Sequence, residues 1–150
     1  MDYISNLRKI IGHKPLLMVG ATVLVLDSQN RLLMMKRFES GNWGVPGGAM
    51  EPGETTEETA KRELLEETNL KAGDMELFGV FSGPELYYRY PSGDEVYNVS
   101  IVYLTRDVYG DLKLTDEEHI EFGFFLLADL PEKISPPIKP ILKKLVESFS

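Results

Sequence analysis

The sequence predicts an α/β fold in which helices cover both faces of a mixed β-sheet. Apolar, β-branched runs of strand length recur along the chain, two helical patterns interrupt them, and the composition is that of a globular domain. Of 150 residues, 43% are hydrophobic and 27% charged, enough apolar material to bury an ordinary core without staples. No linker, repeat or low-complexity tract divides the chain, so residues 1–150 read as a single domain preceded by an N-terminal arm over 1–15.

Leu16 to Leu26 is apolar and β-branched enough for a strand. The turn residues Asp27-Ser28-Gln29-Asn30 follow, and the apolar run Arg31 to Arg37 resumes, which predicts a hairpin. Trp43 to Gly48 is too rich in glycine and proline for a regular element and predicts a short strand entering a constrained loop. Thr55 to Thr68 is the clearest helix: Pro52-Gly53 precedes it, acidic residues fill its first turn, and Asn69 stands where a left-handed cap is tolerated. Leu70 to Phe81 and Val96 to Thr105 read as strands, separated by the turn signals of Ser82 to Glu95. His119 to Leu127 is a further strand, and Ile138 to Phe149 has helical spacing at Ile141, Leu142, Leu145 and Val146.

Charge and cysteine content exclude several functions. Without cysteine there are no disulfides, zinc–thiolate sites or cysteine nucleophiles, and two histidines far apart are poor material for a serine triad. A net charge of −8 repels polyanions, so neither a nucleic-acid polymer nor an anionic membrane is an expected partner. No leader pattern opens the chain, and its apolar stretches, interrupted by Gly20 and Thr22, are too short to span a bilayer; a cytoplasmic protein is the expectation. An anionic substrate would then need a cationic mediator, for which a divalent metal is the first candidate.

The chemistry concentrates between Gly48 and Leu70. On a helix at about 100° per residue, Glu66 falls about 60° to one side of Glu63 and Glu67 about 40° to the other, so three carboxylates share one sector. They repel one another and lie in the second half of the helix, where the dipole disfavours negative charge. A solvated acidic face is the ordinary reading of such a cluster. A bound Mg²⁺ or Mn²⁺ removes the conflict, because hard carboxylate oxygens are its preferred ligands. Glu54 stands at the helix start, and an ion pair from Arg62 to Glu54 would tie the loop to the helix.

Gly48, Glu54, Arg62, Glu63, Leu64, Glu66 and Glu67 match the signature of the Nudix hydrolase family: G, five residues, E, seven residues, R-E-U-x-E-E-x-G-U, where U is aliphatic. The segment Trp43-Gly44-Val45-Pro46-Gly47-Gly48 also resembles the family's approach to that box. The final glycine is Asn69 here, the other residue that enters the left-handed region readily. The resemblance implies an α/β/α sandwich and a pyrophosphohydrolase that cleaves nucleoside diphosphate derivatives with Mg²⁺ or Mn²⁺. It implies metal ligands at Glu63, Glu67 and the Gly47 carbonyl, with Glu66 as a further ligand or base. A further catalytic carboxylate is expected among Asp116, Glu117 and Glu118, with Glu118 first and a solvated acidic turn as the alternative.

Substrate contacts are expected from Lys36 and Arg37, which end a strand beside the glycine-rich loop. Tyr87 and Tyr88, with Arg89, Tyr90 and Tyr97, suit either a nucleobase pocket or a homodimer contact. Trp43, Met34 and Met35 read as core, His119 as structural, and His13 as part of the arm. For substrate, the resemblance places a nucleoside triphosphate, oxidised ones included, slightly ahead of ADP-ribose or another nucleotide sugar. Both stand against a catalytically silent nucleotide-binding module, which the intact glutamates disfavour.

Overall fold

The structure, a computed structural model, describes residues 2–149. Its axis is strand β1 (Leu16–Val25), which pairs with β8 (Glu95–Thr105) in parallel, from Leu16 opposite Val96 to Val25 opposite Thr105. On its other side β1 pairs antiparallel with β4 (Gly47–Ala49). Beyond β8, β6 (Glu76–Phe81) and β7 (Tyr87–Arg89) run antiparallel along different stretches of the same edge. The sheet is mixed, as expected. A second, antiparallel sheet has the order β10 (His119–Leu126), β2 (Arg31–Arg37), β3 (Trp43–Gly44). The two-residue strands β5 (Lys71–Ala72) and β9 (Val108–Tyr109) form a separate ribbon.

Among the described residues three α-helices accompany these sheets: α1 (Tyr3–Ile11), α2 (Thr56–Thr68) and α3 (Lys139–Ser148). The C-terminal half of β1 is buried on both faces, which is why it reads as a continuous apolar run rather than an alternating one. Ala21, Val23 and Val25 pack with Ala60 and Leu64 of α2, while Leu24 and Leu26 pack with Ile141, Leu142 and Leu145 of α3. The first half of β1 lacks this double cover, and its inner face is left to line a cavity.

The predicted hairpin differs from what forms. The turn is there: Asp27 accepts the N–H groups of Gln29 and Arg31, each at 2.9 Å, and the Arg31 Nε at 2.8 Å. After one bridge from Leu26 to Leu32 the strands part, and β2 takes its partners from β10 and β3. Leu33 enters the core under α2, whereas Leu32 and Met34 enter the core under α3. A strand buried on both faces lies between the layers and cannot simply extend β1's sheet.

The predicted single strand over 70–81 is also two. Asp107 takes the Gly73 N–H on its carbonyl and the Asp74 N–H on its carboxylate, both at 2.8 Å, and this carries the chain from the ribbon into the main sheet. The arm, to which the sequence analysis assigns no element, contains α1. Asp2 caps its first turn by accepting from the Ser5 N–H at 2.7 Å, and Gly12 ends it at φ 65°.

α2 follows its sequence signals closely. Thr55 and Glu58 form a reciprocal capping box, and Asn69 closes the helix at φ 65°, its N–H reaching the Leu65 carbonyl. The Asn69 side chain also donates to the Asp111 carbonyl at 2.9 Å, so this residue both caps the helix and ties down the following loop. Replacing it separates the two contributions. Asn69→Gly keeps the left-handed backbone and loses only the side-chain bond, whereas Asn69→Ala also acquires backbone strain, costing about 1–2 kcal/mol by urea denaturation. Equal midpoints for the two variants would show that backbone conformation contributes nothing here.

Candidate active site

β4 and α2 lie against each other, and their contact builds the site. Gly20 faces Ala49 and Thr22 faces Gly47 across the pair of β1 with β4. A Cβ on Gly47 would meet the Ala21 carbonyl oxygen at 2.6 Å, and one on Gly48 would overlap the Glu63 carboxylate. Both positions need glycine for close approach and not for an unusual φ. The space that Gly48 leaves is where Glu63 sits, its side chain only 16% exposed. Glu67, almost fully buried, accepts the Gly47 N–H on Oε1 at 2.9 Å.

Arg62 organises the rest. Its Nε donates to Glu54 Oε2 at 2.6 Å and its Nη2 to Glu54 Oε1 at 2.9 Å, the bidentate geometry that favours arginine over lysine. Nη2 also reaches the Ala49 carbonyl at 3.0 Å, and Nη1 reaches Glu63 at 2.8 Å and Glu66 at 3.3 Å. Glu54 in turn accepts from the Glu51 N–H and the Thr59 hydroxyl, both at 2.9 Å. One guanidinium thus ties loop 50–55 to the helix and steadies two carboxylates of the cluster.

The electrostatics divide the glutamates. The Arg62 hydrogen bonds hold the Glu54 carboxyl down at about 2. Burial pushes Glu63 up to about 7, against the pull of Arg62 and with the push of Glu66 and Glu118. Burial raises Glu67 as well; the Gly47 N–H opposes the rise and the charges of Glu63, Asp116 and Glu118 add to it. Among the described residues no lysine or arginine pairs with Glu67. A donor set of crowded, hard oxygens that resists ionising alone fits a divalent cation of the Mg²⁺ or Mn²⁺ type. Glu63 and Glu67 could hold one beside the backbone of Gly47, and Glu66 lines the same cleft.

These carboxylates line a cleft of about 690 Å³ that opens into a smaller pocket of about 160 Å³, with Met18, Arg37, Gly47, Gly48 and Tyr90 bordering both. The pocket is walled by Leu86, Tyr88, Val99, Pro137 and Ile138, with Asn98, Thr22 and Ser100 as polar groups. Its size suits a single flat ring system, and aromatic walls with a few polar groups suit recognising one.

Arg37 therefore reaches both the cleft and the pocket and Tyr88 the pocket, but Lys36 and Tyr87 line neither. Alternation along a strand sends neighbouring side chains to opposite faces, so only one of each adjacent pair can face inward. Lys36 sits opposite Trp43 and Glu121, while Tyr87 donates to Glu95 at 2.5 Å and packs on the Tyr97 ring at 5.1 Å. Tyr90, the inward residue two positions beyond Tyr88, is the one that joins it, ring against ring at 4.9 Å. Tyr90 was among the aromatic residues that the sequence suggested for such a pocket, and with Tyr88 it is one of the two tyrosines that line it.

Of the three loop acids, Asp116 and Glu118 line the cleft and Glu117 does not. Glu118 is at the rim, its side chain 64% exposed and 3.6 Å from Arg37. Asp116 lies deeper, held by His119 Nδ1 at 3.0 Å, and Glu67, Asp116 and His119 bring ligand atoms within 4.8 Å of one another. The buried His119 thus holds a carboxylate in the cleft. Trp43 packs edge-on against Phe125 at 5.0 Å, and Met34 and Met35 are wholly buried.

The family profile described as NUDIX domain matches residues 16–145. An ADP-ribose pyrophosphatase of Methanocaldococcus jannaschii is 37% identical over 111 residues, covering 72% of this chain and 62% of that protein. The oxidized purine nucleoside triphosphate hydrolase of Mus musculus is 35% identical over 111 residues, 73% of this chain and 66% of the mouse protein. A Bacillus subtilis relative is 42% identical over 66 residues, and this chain spans 44% of it. The chain thus spans less than two thirds of the archaeal and Bacillus proteins. Among solved structures, the MutT NUDIX hydrolase from Burkholderia pseudomallei matches with a TM-score of 0.74 and 26% identity, over 88% of this chain and 98% of that one.

Glu63 gives stability a recognisable pH dependence. Its folded value of about 7 exceeds the ordinary 4.5, so the metal-free fold loses stability through this group as pH rises from 4.5 towards 7, and Glu67 adds the same sign. Glu54 acts in the other window, losing its contribution as pH falls from 4.5 towards 2. Thermal melts with and without Mg²⁺ or Mn²⁺ should show the cation stabilising strongly at about pH 8 and little at about pH 5. Glu63→Gln should flatten the decline and remove most of that increment; an unchanged increment would dismiss Glu63 as a ligand. Arg62→Ala, which strands Glu54 in a half-buried position, should cost about 2 kcal/mol or more in urea denaturation.

Proposed function

Because the chain belongs to the NUDIX domain family, we propose that it hydrolyses the pyrophosphate linkage of a nucleoside diphosphate derivative with Mg²⁺ or Mn²⁺. The observation that supports this above all is the packing of Glu63 and Glu67 against Gly48 and Gly47, with Glu66 lining the same cleft and a ring-sized pocket bordering it. When bound, the cation neutralises charge on the phosphate oxygens and acidifies water at the site.

The chain's own groups supply position and proton transfer. Glu63 and Glu67, with the Gly47 carbonyl, would hold the cation, and Arg62 keeps Glu63 and Glu66 from splaying apart. Arg37, which borders both the cleft and the pocket, is placed to hold a phosphate oxygen where they join. Tyr88 and Tyr90 hold the base and keep water out of the pocket. A water oxygen attacks phosphorus, the P–O anhydride bond breaks, and a carboxylate oxygen of Glu66 or Glu118 takes the water proton; both side chains are more than half exposed at the open side.

Two substrate readings have specific support. A nucleoside triphosphate, cleaved to monophosphate and pyrophosphate, is supported by similarity to the mouse hydrolase and the MutT fold. A nucleotide sugar is supported by similarity to the archaeal ADP-ribose pyrophosphatase and by the charge of the cleft, where carboxylates far outnumber the two cations, Arg37 and Arg62. A triphosphate ends in a phosphate carrying about two negative charges and meets that surface at a disadvantage, so the nucleotide sugar takes precedence.

A panel of nucleoside triphosphates, nucleotide sugars and dinucleotides with each cation, scored for phosphate-containing products, tests the activity. Glu67→Gln should lower turnover at least about a hundredfold while the protein still melts cooperatively. Turnover that survives this substitution, or depends on no divalent cation, would overturn the assignment.

A further inference from the structure

Helix α1 lies outside the residues 16–145 that match the family, yet its first turn reaches the catalytic cleft. Asp2 and Ile4 line the cleft together with the carboxylates, Met18 and Tyr90. Neither borders the ring-sized pocket. With the base in that pocket and the pyrophosphate over Glu63 and Glu67, α1 stands beside whatever group is attached beyond the pyrophosphate.

The helix is fixed in that place at both ends. At its start the Tyr3 N–H donates to Glu51 Oε1 at 3.2 Å, and Glu51 belongs to the loop that Arg62 and Glu54 organise. Near its end Arg8, with a side chain only 12% exposed, donates to the carbonyls of Gly12 and Lys14 at 2.9 and 2.6 Å and to that of Glu95 at 2.6 Å. His13 pairs with Asp94 at 2.7 Å. Asp94 and Glu95 belong to the turn and strand that follow Tyr88 and Tyr90, so one set of bonds fastens α1 to the segment that walls the pocket. Two of Arg8's three carbonyl partners close the end of the arm itself, and the third, Glu95, ties the helix to the strand that follows the tyrosines.

We propose that the first turn of α1 is a specificity wall that selects the group beyond the pyrophosphate, accepting a neutral, hydroxyl-bearing group such as a sugar and disfavouring a terminal phosphate. The inference rests on the pyrophosphohydrolase reading. Ile4 offers apolar surface to the face of a sugar ring, as Met18 does beside it. Asp2 and Glu51 offer carboxylate oxygens, which accept hydrogen bonds from hydroxyls and repel phosphate oxygens. Arg8 is a positioning residue: it touches no substrate and sets where Asp2 and Ile4 stand.

The test compares two ligands that share a nucleoside and differ only beyond the pyrophosphate. These are the α,β-methylene analogues of ADP-ribose and ATP, whose P–C–P bridge is not hydrolysed, titrated calorimetrically with Mg²⁺ into the full chain. The native protein should bind the ADP-ribose analogue more tightly. Asp2→Asn keeps the helix cap and removes one charge, and should move the ratio of dissociation constants about threefold towards the triphosphate. Ile4→Lys places a cation in the wall and should move it about tenfold or more, while Ile4→Ser should weaken the sugar ligand without favouring the triphosphate. Arg8→Ala, which leaves the carbonyls of Gly12, Lys14 and Glu95 without this donor, should erode the native preference and also lower the thermal midpoint, whereas a purely structural role would lower the midpoint and leave the ratio unchanged. An unchanged ratio in both Asp2→Asn and Ile4→Lys, a native preference for the triphosphate, or binding of neither analogue overturns the proposal. If the ratio shifts as expected but ADP-ribose and ATP yield no phosphate-containing products with either cation, the hydrolytic reading fails and the selective wall stands.

Discussion

Glu63 and Glu67 lie one helical turn apart on α2 with their carboxylates pressed against Gly47 and Gly48, and neither ionises comfortably there. Much of the surrounding architecture serves to keep them in that position. Glycines in β4 give up side-chain volume so that the helix can approach, and Gly20 of β1 does the same where a Cβ would meet the Gly48 carbonyl oxygen at 2.7 Å. Behind the carboxylates, Ala60 and Leu64 lock α2 onto β1 through a dry core, so the helix cannot rotate to let the charges out. The free energy for this confinement comes from apolar burial on both faces of one strand.

That strand also explains why a single element serves two purposes. Near its C-terminal end β1 is buried between α2 and α3, while towards its start the inner face is open and Met18, Gly20 and Thr22 line the pocket. Core packing and pocket lining are therefore separated along one strand. The second sheet contributes similarly: β2 fills both cores with Leu32 to Met34 and then delivers Arg37 to the cleft at its last residue.

The parts legible in sequence were those fixed by local chemistry. α2 could be read because its start, end and charge pattern are all written within one helix: the Thr55–Glu58 box, the Asn69 cap, and a sector of acids spaced by helical geometry. The mixed sheet followed from the order of apolar runs. What escaped depends on which strands meet. Nothing local tells β2 to leave β1 after the Asp27 turn, because that choice is made by a strand needing cover on two faces. Lys36 and Tyr87 were drawn towards the site by position in the chain, and strand alternation turns both away. Asp116 gains its place from His119, a neighbour visible in sequence whose burial is not. The helix in the arm, by contrast, carried readable signals, since Asp2, the spacing of Ile4, Leu7 and Ile11, and Gly12 are ordinary helix punctuation.

α1 contributes no fully buried residue, whereas α2 and α3 each bury several. Substitutions on its outward face therefore carry a small thermodynamic cost, while α2 is held by the packing of Ala60 and Leu64. One border of the cleft thus stands on a helix without a dry core of its own, and the opposite border on a helix that the core holds rigid.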